Sequence, residues 1–106
     1  MFFGRLVAEE EVWVADSDGV IAGFVVLGER TLDHLYVEPE RTGSGIGTAL
    51  LDHAKARRPA GFTLWTFQAN DGARRFYERH GLEPVLLTDG EDNEERCPDV
   101  LYRWRS

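Results

Sequence analysis

Leu35-Tyr36-Val37-Glu38-Pro39-Glu40-Arg41-Thr42-Gly43-Ser44-Gly45-Ile46-Gly47-Thr48-Ala49-Leu50-Leu51 is the stretch on which the reading of this chain turns. It opens on the end of an alternating, strand-prone run, Thr31 to Val37, which Glu38-Pro39 stops because proline lacks an N–H and drives the residue before it out of the helical region. Beyond the glycines the period changes. Ile46, Leu50 and Ala54 recur on one helical face while Asp52, Lys55 and Arg57 point away, and Pro59-Ala60-Gly61 ends the element. The stretch therefore reads as strand, glycine turn, helix.

Working outward, Glu11 to Ala15 reads as a strand, Asp16-Ser17-Asp18-Gly19 as a turn, and Val20 to Leu27 as the returning strand of a hairpin. Gly28-Glu29-Arg30 turns the chain again into Thr31 to Val37, giving three antiparallel strands. On the C-terminal side, Phe62 to Phe67 reads as a strand. Asn70 or Asp71 then offers an N-cap, with Ala73, Phe76, Tyr77 and His80 at the spacing of a buried helical stripe and Gly81 where a left-handed C-cap belongs. Leu82 to Thr88 and Asp99 to Trp104 read as closing strands. The order is β-β-β-α-β-α-β-β, an α+β fold with a mixed, mostly antiparallel sheet flanked by helices. Its strand–helix–strand unit places Thr31 to Val37 and Phe62 to Phe67 parallel.

With 106 residues, 42% of them hydrophobic, one domain spanning 1–106 is the expectation. No stretch approaches the apolar length needed to cross a bilayer, and the single Cys97 suits a reducing compartment, so a cytoplasmic protein without membrane partner is expected. The net charge of −7 argues against nucleic acid, whose phosphates need a surplus of Lys and Arg on one face. Acid gathers at Glu9 to Glu11 and Asp89 to Asp99, and base at Arg41, Lys55 to Arg58 and Arg74 to Arg79. That polarity suits an anionic ligand at one place and a cationic one at another. His53 and His80 lack partners at metal-ligand spacing, so no metal is expected.

Glycines between a strand and a helix let consecutive backbone N–H groups turn toward one anion at the positive end of the helix. The alternative, a tight turn and nothing more, is open on this loop taken alone. The spacing excludes two nucleotide motifs. A P-loop requires Gly-Lys-Ser/Thr at its end, and here Thr48 follows the last glycine. A dinucleotide fingerprint requires Gly-x-Gly-x-x-Gly and an acid closing the next strand, whereas this loop is Gly-x-Gly-x-Gly and that strand ends Trp65-Thr66-Phe67-Gln68.

The stretch Leu35 to Leu51 resembles the acetyl-CoA motif of the GNAT acetyltransferase superfamily, whose core pattern is Gln/Arg-x-x-Gly-x-Gly/Ala. Asn70-Asp71-Gly72-Ala73-Arg74-Arg75-Phe76-Tyr77-Glu78-Arg79-His80-Gly81-Leu82 resembles the family's second motif, Asn-x-x-Ala-x-x-Phe/Leu-Tyr-x-x-x-Gly-Phe. Two motifs in the right order, with the resemblance running from Glu11 to Trp104, imply the GNAT fold. Two departures stand out. Thr42 occupies the Gln/Arg position, with Arg41 one place earlier, and the chain reads as a short form lacking the family's first strand and two helices.

The resemblance implies an N-acetyltransferase that moves an acetyl group from acetyl-CoA to a primary amine of a small molecule or protein. It implies that the backbone of Leu35, Tyr36 and Val37 binds the pantetheine arm like another strand. Thr42, Gly43, Ser44, Gly45, Ile46, Gly47 and Thr48 would hold the pyrophosphate, with Asn70 and Arg74 also touching the cofactor. Tyr77 matches the family's general acid, against the reading that it packs in the stripe. Asp33, placed by alternation on the face of Leu35 and Val37, is the candidate base, against a solvated strand carboxylate; His34 points the other way. Glu94 and Glu95 would draw a cationic amine, against a merely solvated loop. The competing function is an acyl-CoA-binding sensor with little transfer activity, and a third is transfer to a hydroxyl or of a longer acyl chain. A homodimer is expected, since Phe2, Phe3 and Leu6 would otherwise expose apolar surface.

Overall fold

The computed structural model describes residues 2–7, 11–17, 19–39, 43 and 45–105, with 2–7 and Ser17 described by their backbone. The chain gathers into two compact units, Met1–Pro59 and Ala60–Ser106.

The first unit holds four strands, β1 (Phe2–Val7), β2 (Glu11–Ser17), β3 (Val20–Leu27) and β4 (Leu32–Val37), in the order β1-β2-β3-β4, and the helix α1 (Ile46–Arg57). All three ladders are antiparallel. β1 corrects the expectation that the chain opens on the family's second strand: Phe2–Val7 pairs along its whole length with β2. Its sequence, Phe-Phe-Gly-Arg-Leu-Val, has no apolar–polar alternation to announce it. The turn between β2 and β3 is tighter than its composition suggests, since Asp16 and Ser17 stay in the strand and Gly19 N donates to Asp16 Oδ1 at 2.8 Å.

The core of this unit lies between β3 and α1. Val25 and Leu27 on β3, and Leu50, Leu51 and Ala54 on α1, are fully buried. Each valine or leucine so placed contributes about 1.5–3 kcal/mol of transfer free energy, which outweighs the modest intrinsic preferences of either element.

The second unit holds β5 (Phe62–Phe67), α2 (Asp71–Arg79), β6 (Glu83–Leu87) and β7 (Asp99–Trp104). Its sheet runs β5-β7-β6, again antiparallel, with β7 in the middle. The mixed sheet expected from the strand–helix–strand unit thus resolves into two antiparallel sheets, in which β4 and β5 each find a ladder partner within their own unit. Val100 and Tyr102 on β7, with Phe62 and Leu64 on β5, form the core. Asn70 caps α2 through Ala73 N, and Gly81 is left-handed at φ 87°, as the sequence predicts. Of the predicted stripe Tyr77 alone is buried, while Ala73, Phe76 and His80 are half-buried. No helix among the described residues is long and apolar enough to cross a membrane.

Candidate functional site

In the first unit the predicted anion cradle takes shape at the start of α1. Gly43 and Gly45 are left-handed, with φ 83° and 89°, and a Cβ at either would meet open space. Gly45 is the N-cap and has no side chain to satisfy the amides that follow. Ala49 N donates to Gly45 O at 2.9 Å, so the helical ladder closes on the N-cap, with the Ile46 and Gly47 amides in its first turn. The first turn carries no acid, and an anion there meets the positive end of the helix unopposed. Thr42 and Ser44, assigned to the same cradle from the sequence, lie outside the described residues, as does Arg41 before them.

β4 leads into that turn. Leu35 and Val37 are half-buried, and Tyr36 is 45% exposed with its ring stacked on Phe24 at 5.4 Å. The predicted position of Asp33 is changed by a bulge. Val26 pairs with His34 and Leu27 with Leu32, leaving Asp33 as the extra residue, so Leu32 is buried in its place. Asp33 is exposed at the far end of β4 from the glycine turn, with its carboxylate near Gly28. His34 is exposed as well.

The other end of α1 is clamped by residues that sequence reading did not connect. Arg57 Nε and its terminal N–H donate to the two carboxylate oxygens of Glu11 at 2.7 and 2.9 Å, Trp13 Nε1 donates to the same carboxylate at 2.5 Å, and Arg57 lies over the Trp13 ring. The Arg57 hydrogen bond, with help from Trp13 and Arg58, outweighs burial and lowers the Glu11 pKa to about 2. Arg58 Nε donates to Gly28 O at 2.9 Å. A separation of 46 positions between Glu11 and Arg57 hides this pair from any local pattern.

In the second unit, Tyr77 is buried and its ring packs edge-on against Phe76 and tilted against Tyr102. Burial pushes its hydroxyl above the ordinary tyrosine range, so it holds its proton. Asn70 is exposed and its carbonyl oxygen is engaged as the cap of α2. Arg74 Nε donates to the Tyr102 hydroxyl at 3.0 Å, which in turn donates to Glu78.

The acidic segment after β6 is organised. Asn93 Nδ2 donates to Cys97 O and Asp99 Oδ2, Cys97 N donates to Asn93 Oδ1, and the Thr88 hydroxyl donates to Asp99. Gln68 Nε2 bridges Thr88 O and Asp99 O at 2.8 and 3.0 Å. Together they frame a cavity of about 510 Å³ lined by Trp65, Thr88, Asp89, Asp92, Asn93 and Asp99. Glu94 and Glu95, singled out from the sequence, are exposed and do not line it. Among the described residues no three His, Cys, Asp or Glu side chains are grouped to hold a metal ion.

A family profile described as an acetyltransferase (GNAT) domain matches residues 8–84. The peptidyl-lysine N-acetyltransferase YiaC of Escherichia coli (strain K12) is 31% identical over 98 residues, covering 92% of this chain and 65% of that protein. The solution structure of apo-form YjaB from Escherichia coli superposes with a TM-score of 0.79 at 26% identity, over 91% of this chain and 65% of that one. A GNAT family acetyltransferase from Elizabethkingia anophelis with acetyl-CoA bound superposes with a TM-score of 0.80, over 92% of this chain and 77% of that one, and at 18% identity shows the fold alone. The chain thus spans just under two thirds of the length of YiaC.

Proposed function

The chain belongs to the GNAT acetyltransferase family, and on that footing we propose that it binds acetyl-CoA and transfers the acetyl group to a primary amine of a small molecule or protein. The observation that carries the reading is the start of α1, where left-handed glycines, an N-cap without a side chain and the absence of acid in the first turn suit a pyrophosphate. Gly43 to Thr48 hold that group through their backbone, and the main chain of Leu35 to Val37 receives the pantetheine arm. Asn70 and Arg74 are assigned to the cofactor as well, beside the cap and the Tyr102 bond they already serve.

In transfer, the neutral amine nitrogen bonds to the thioester carbonyl carbon as the carbon–sulfur bond breaks. The departing sulfur takes the Tyr77 hydroxyl proton. The proton lost by the amine goes to water or Asp33, and a proton from solvent restores the tyrosine, leaving an acetylated amine and free CoA thiol. A buried phenol that keeps its proton suits the acid role. For the acceptor, the acid-lined cavity beside Trp65 favours a cation. The name of YiaC makes a protein lysine the first one to try. A homodimer belongs to the reading, supported by the exposure of Val85, Leu86 and Leu87 on the edge strand β6, as does a cytoplasmic location.

Thiol release from acetyl-CoA across a panel of lysine peptides, polyamines and amino-sugar amines, with calorimetric binding alongside, tests the reading. Amine-dependent turnover is expected. Tight binding without turnover on any amine would move the assignment to a sensor, and no binding at all would sink it. Light scattering that finds only monomer at assay concentration would remove the dimer.

A further inference from the structure

Gly23 lies in β3 where the strand is irregular on one side and crowded on the other. Ala15 of β2 pairs with Gly23 and Asp16 with Ile21, so Ala22 is an extra, fully buried residue. Across the sheet, Gly23 pairs with Val37, and Ala22 O accepts from Glu38 N at 2.8 Å. A Cβ on Gly23 would stand 2.5 Å from Tyr36 O, 3.1 Å from Leu50 Cδ1 and 3.3 Å from Ile46 Cγ2. The two side-chain approaches are relieved by shifts of a few tenths of an ångström. The approach to Tyr36 O is not, because a backbone carbonyl moves only if its strand moves.

We propose that Gly23 is the positioning residue of the cofactor cleft, setting the separation between the Tyr36 main chain and the first turn of α1. The inference rests on the function proposed above, in which Tyr36 belongs to the strand that receives pantetheine and Ile46 to the turn that receives pyrophosphate. Those two groups are parts of one covalent ligand. Their receptors must therefore keep a fixed spacing, and the full ligand gains its advantage over its fragments only while that spacing holds. With hydrogen alone at this position, β4 and α1 both seat directly on β3. A methyl group there forces one or both outward while leaving each receptor internally intact.

The test is calorimetric binding of acetyl-CoA, of ADP as a pyrophosphate-bearing fragment and of pantetheine, to the wild-type chain, Gly23→Ala and Ala54→Gly. The last is a buried change in the C-terminal half of α1 that lowers stability without touching the cleft. Gly23→Ala is expected to bind acetyl-CoA about tenfold or more weakly while the fragments stay within about twofold, and to raise KM for acetyl-CoA more than it lowers kcat. Ala54→Gly should leave all three affinities alone. Should Gly23→Ala not fold, Gly23→Ala combined with Leu50→Ala removes the closer side-chain contact, keeps the clash with Tyr36 O and is expected to show the same pattern. Folded Gly23→Ala or its double variant with wild-type acetyl-CoA affinity overturns the inference, as does a uniform loss across ligand and fragments. A wild-type chain that does not bind acetyl-CoA overturns the underlying reading and the inference with it.

Discussion

Arg74 Nε donates to the Tyr102 hydroxyl at 3.0 Å, and that hydroxyl donates to Glu78 Oε2 at 2.5 Å, so one buried phenol joins two residues of α2 to the central strand of its sheet. Burial first, then the Glu78 carboxylate, push the Tyr102 pKa up, and Arg74 opposes them. Replacing the hydroxyl leaves an arginine and a carboxylate without the group that bridges them. Tyr102→Phe is expected to cost about 1–3 kcal/mol, as loss of a hydrogen bond to charged groups does. On a chain of this size that lowers the melting temperature by about 4–8 °C per kcal/mol. Thermal unfolding of Tyr102→Phe within a degree of wild type would show that the bridge is idle.

The clamp at the C-terminal end of α1 should be visible in acid. Glu11 has a folded pKa of about 2, below its ordinary value of 4.5, because it accepts from Arg57 and Trp13. A depressed carboxylate stabilises the fold above its unfolded pKa, and that contribution fades as pH falls through the folded value. Between pH 4.5 and 2, therefore, wild type loses stability that Glu11→Gln has already lost at neutral pH. At pH 7 the variant should be weaker by about 1–2 kcal/mol, since Arg57 is partly exposed and the pair partly screened. Urea titrations that give parallel pH dependence for both proteins would remove the clamp.

How much of this was legible in the sequence differs between the two units. α2 was readable because every signal is local: Asn70 accepts from Ala73 N three residues on, Tyr77 sits on the apolar side, and Gly81 takes the left-handed turn. The glycine turn was readable for the same reason. β1 was not, because Phe2–Val7 lacks alternation and owes its strand state to pairing with β2. Alternation could not place Asp33, because it assumes regular pairing and the bulge opposite Val26 and Leu27 makes Asp33 the extra residue of its strand. Glu11 and Arg57, or Gln68 and Thr88, meet only once the chain has folded back, and no spacing rule announces them.

The Tyr77 hydroxyl should make its mark on the alkaline side of the rate profile. Its pKa is raised by burial, so it remains protonated through and above the ordinary tyrosine range. kcat is then expected not to fall on the alkaline side within the ordinary tyrosine range, with the acid limb set by the amine acceptor. Tyr77→Phe should lower kcat by about 10²-fold or more with acetyl-CoA affinity unchanged, the size usual for loss of a general acid. A variant that keeps wild-type kcat would reduce Tyr77 to a packing residue.

Asn70 carries two assignments that one substitution can separate. Its side-chain oxygen accepts from Ala73 N at 3.1 Å, and the resemblance to the GNAT second motif also gives it a contact with the cofactor. Asn70→Ala removes both and is expected to cost about 0.5–2 kcal/mol of stability through the cap alone. Asn70→Asp keeps an acceptor of the same reach, and its charge is favourable at a helix N-terminus, so stability should stay at or slightly above wild type. The two substitutions therefore diverge in stability whatever the residue does for binding. If Asn70 also touches the anionic cofactor, the new carboxylate repels it. Acetyl-CoA affinity should then fall about tenfold in Asn70→Asp, with a smaller fall at high salt. A stable Asn70→Asp that binds acetyl-CoA as wild type does would confine Asn70 to its cap.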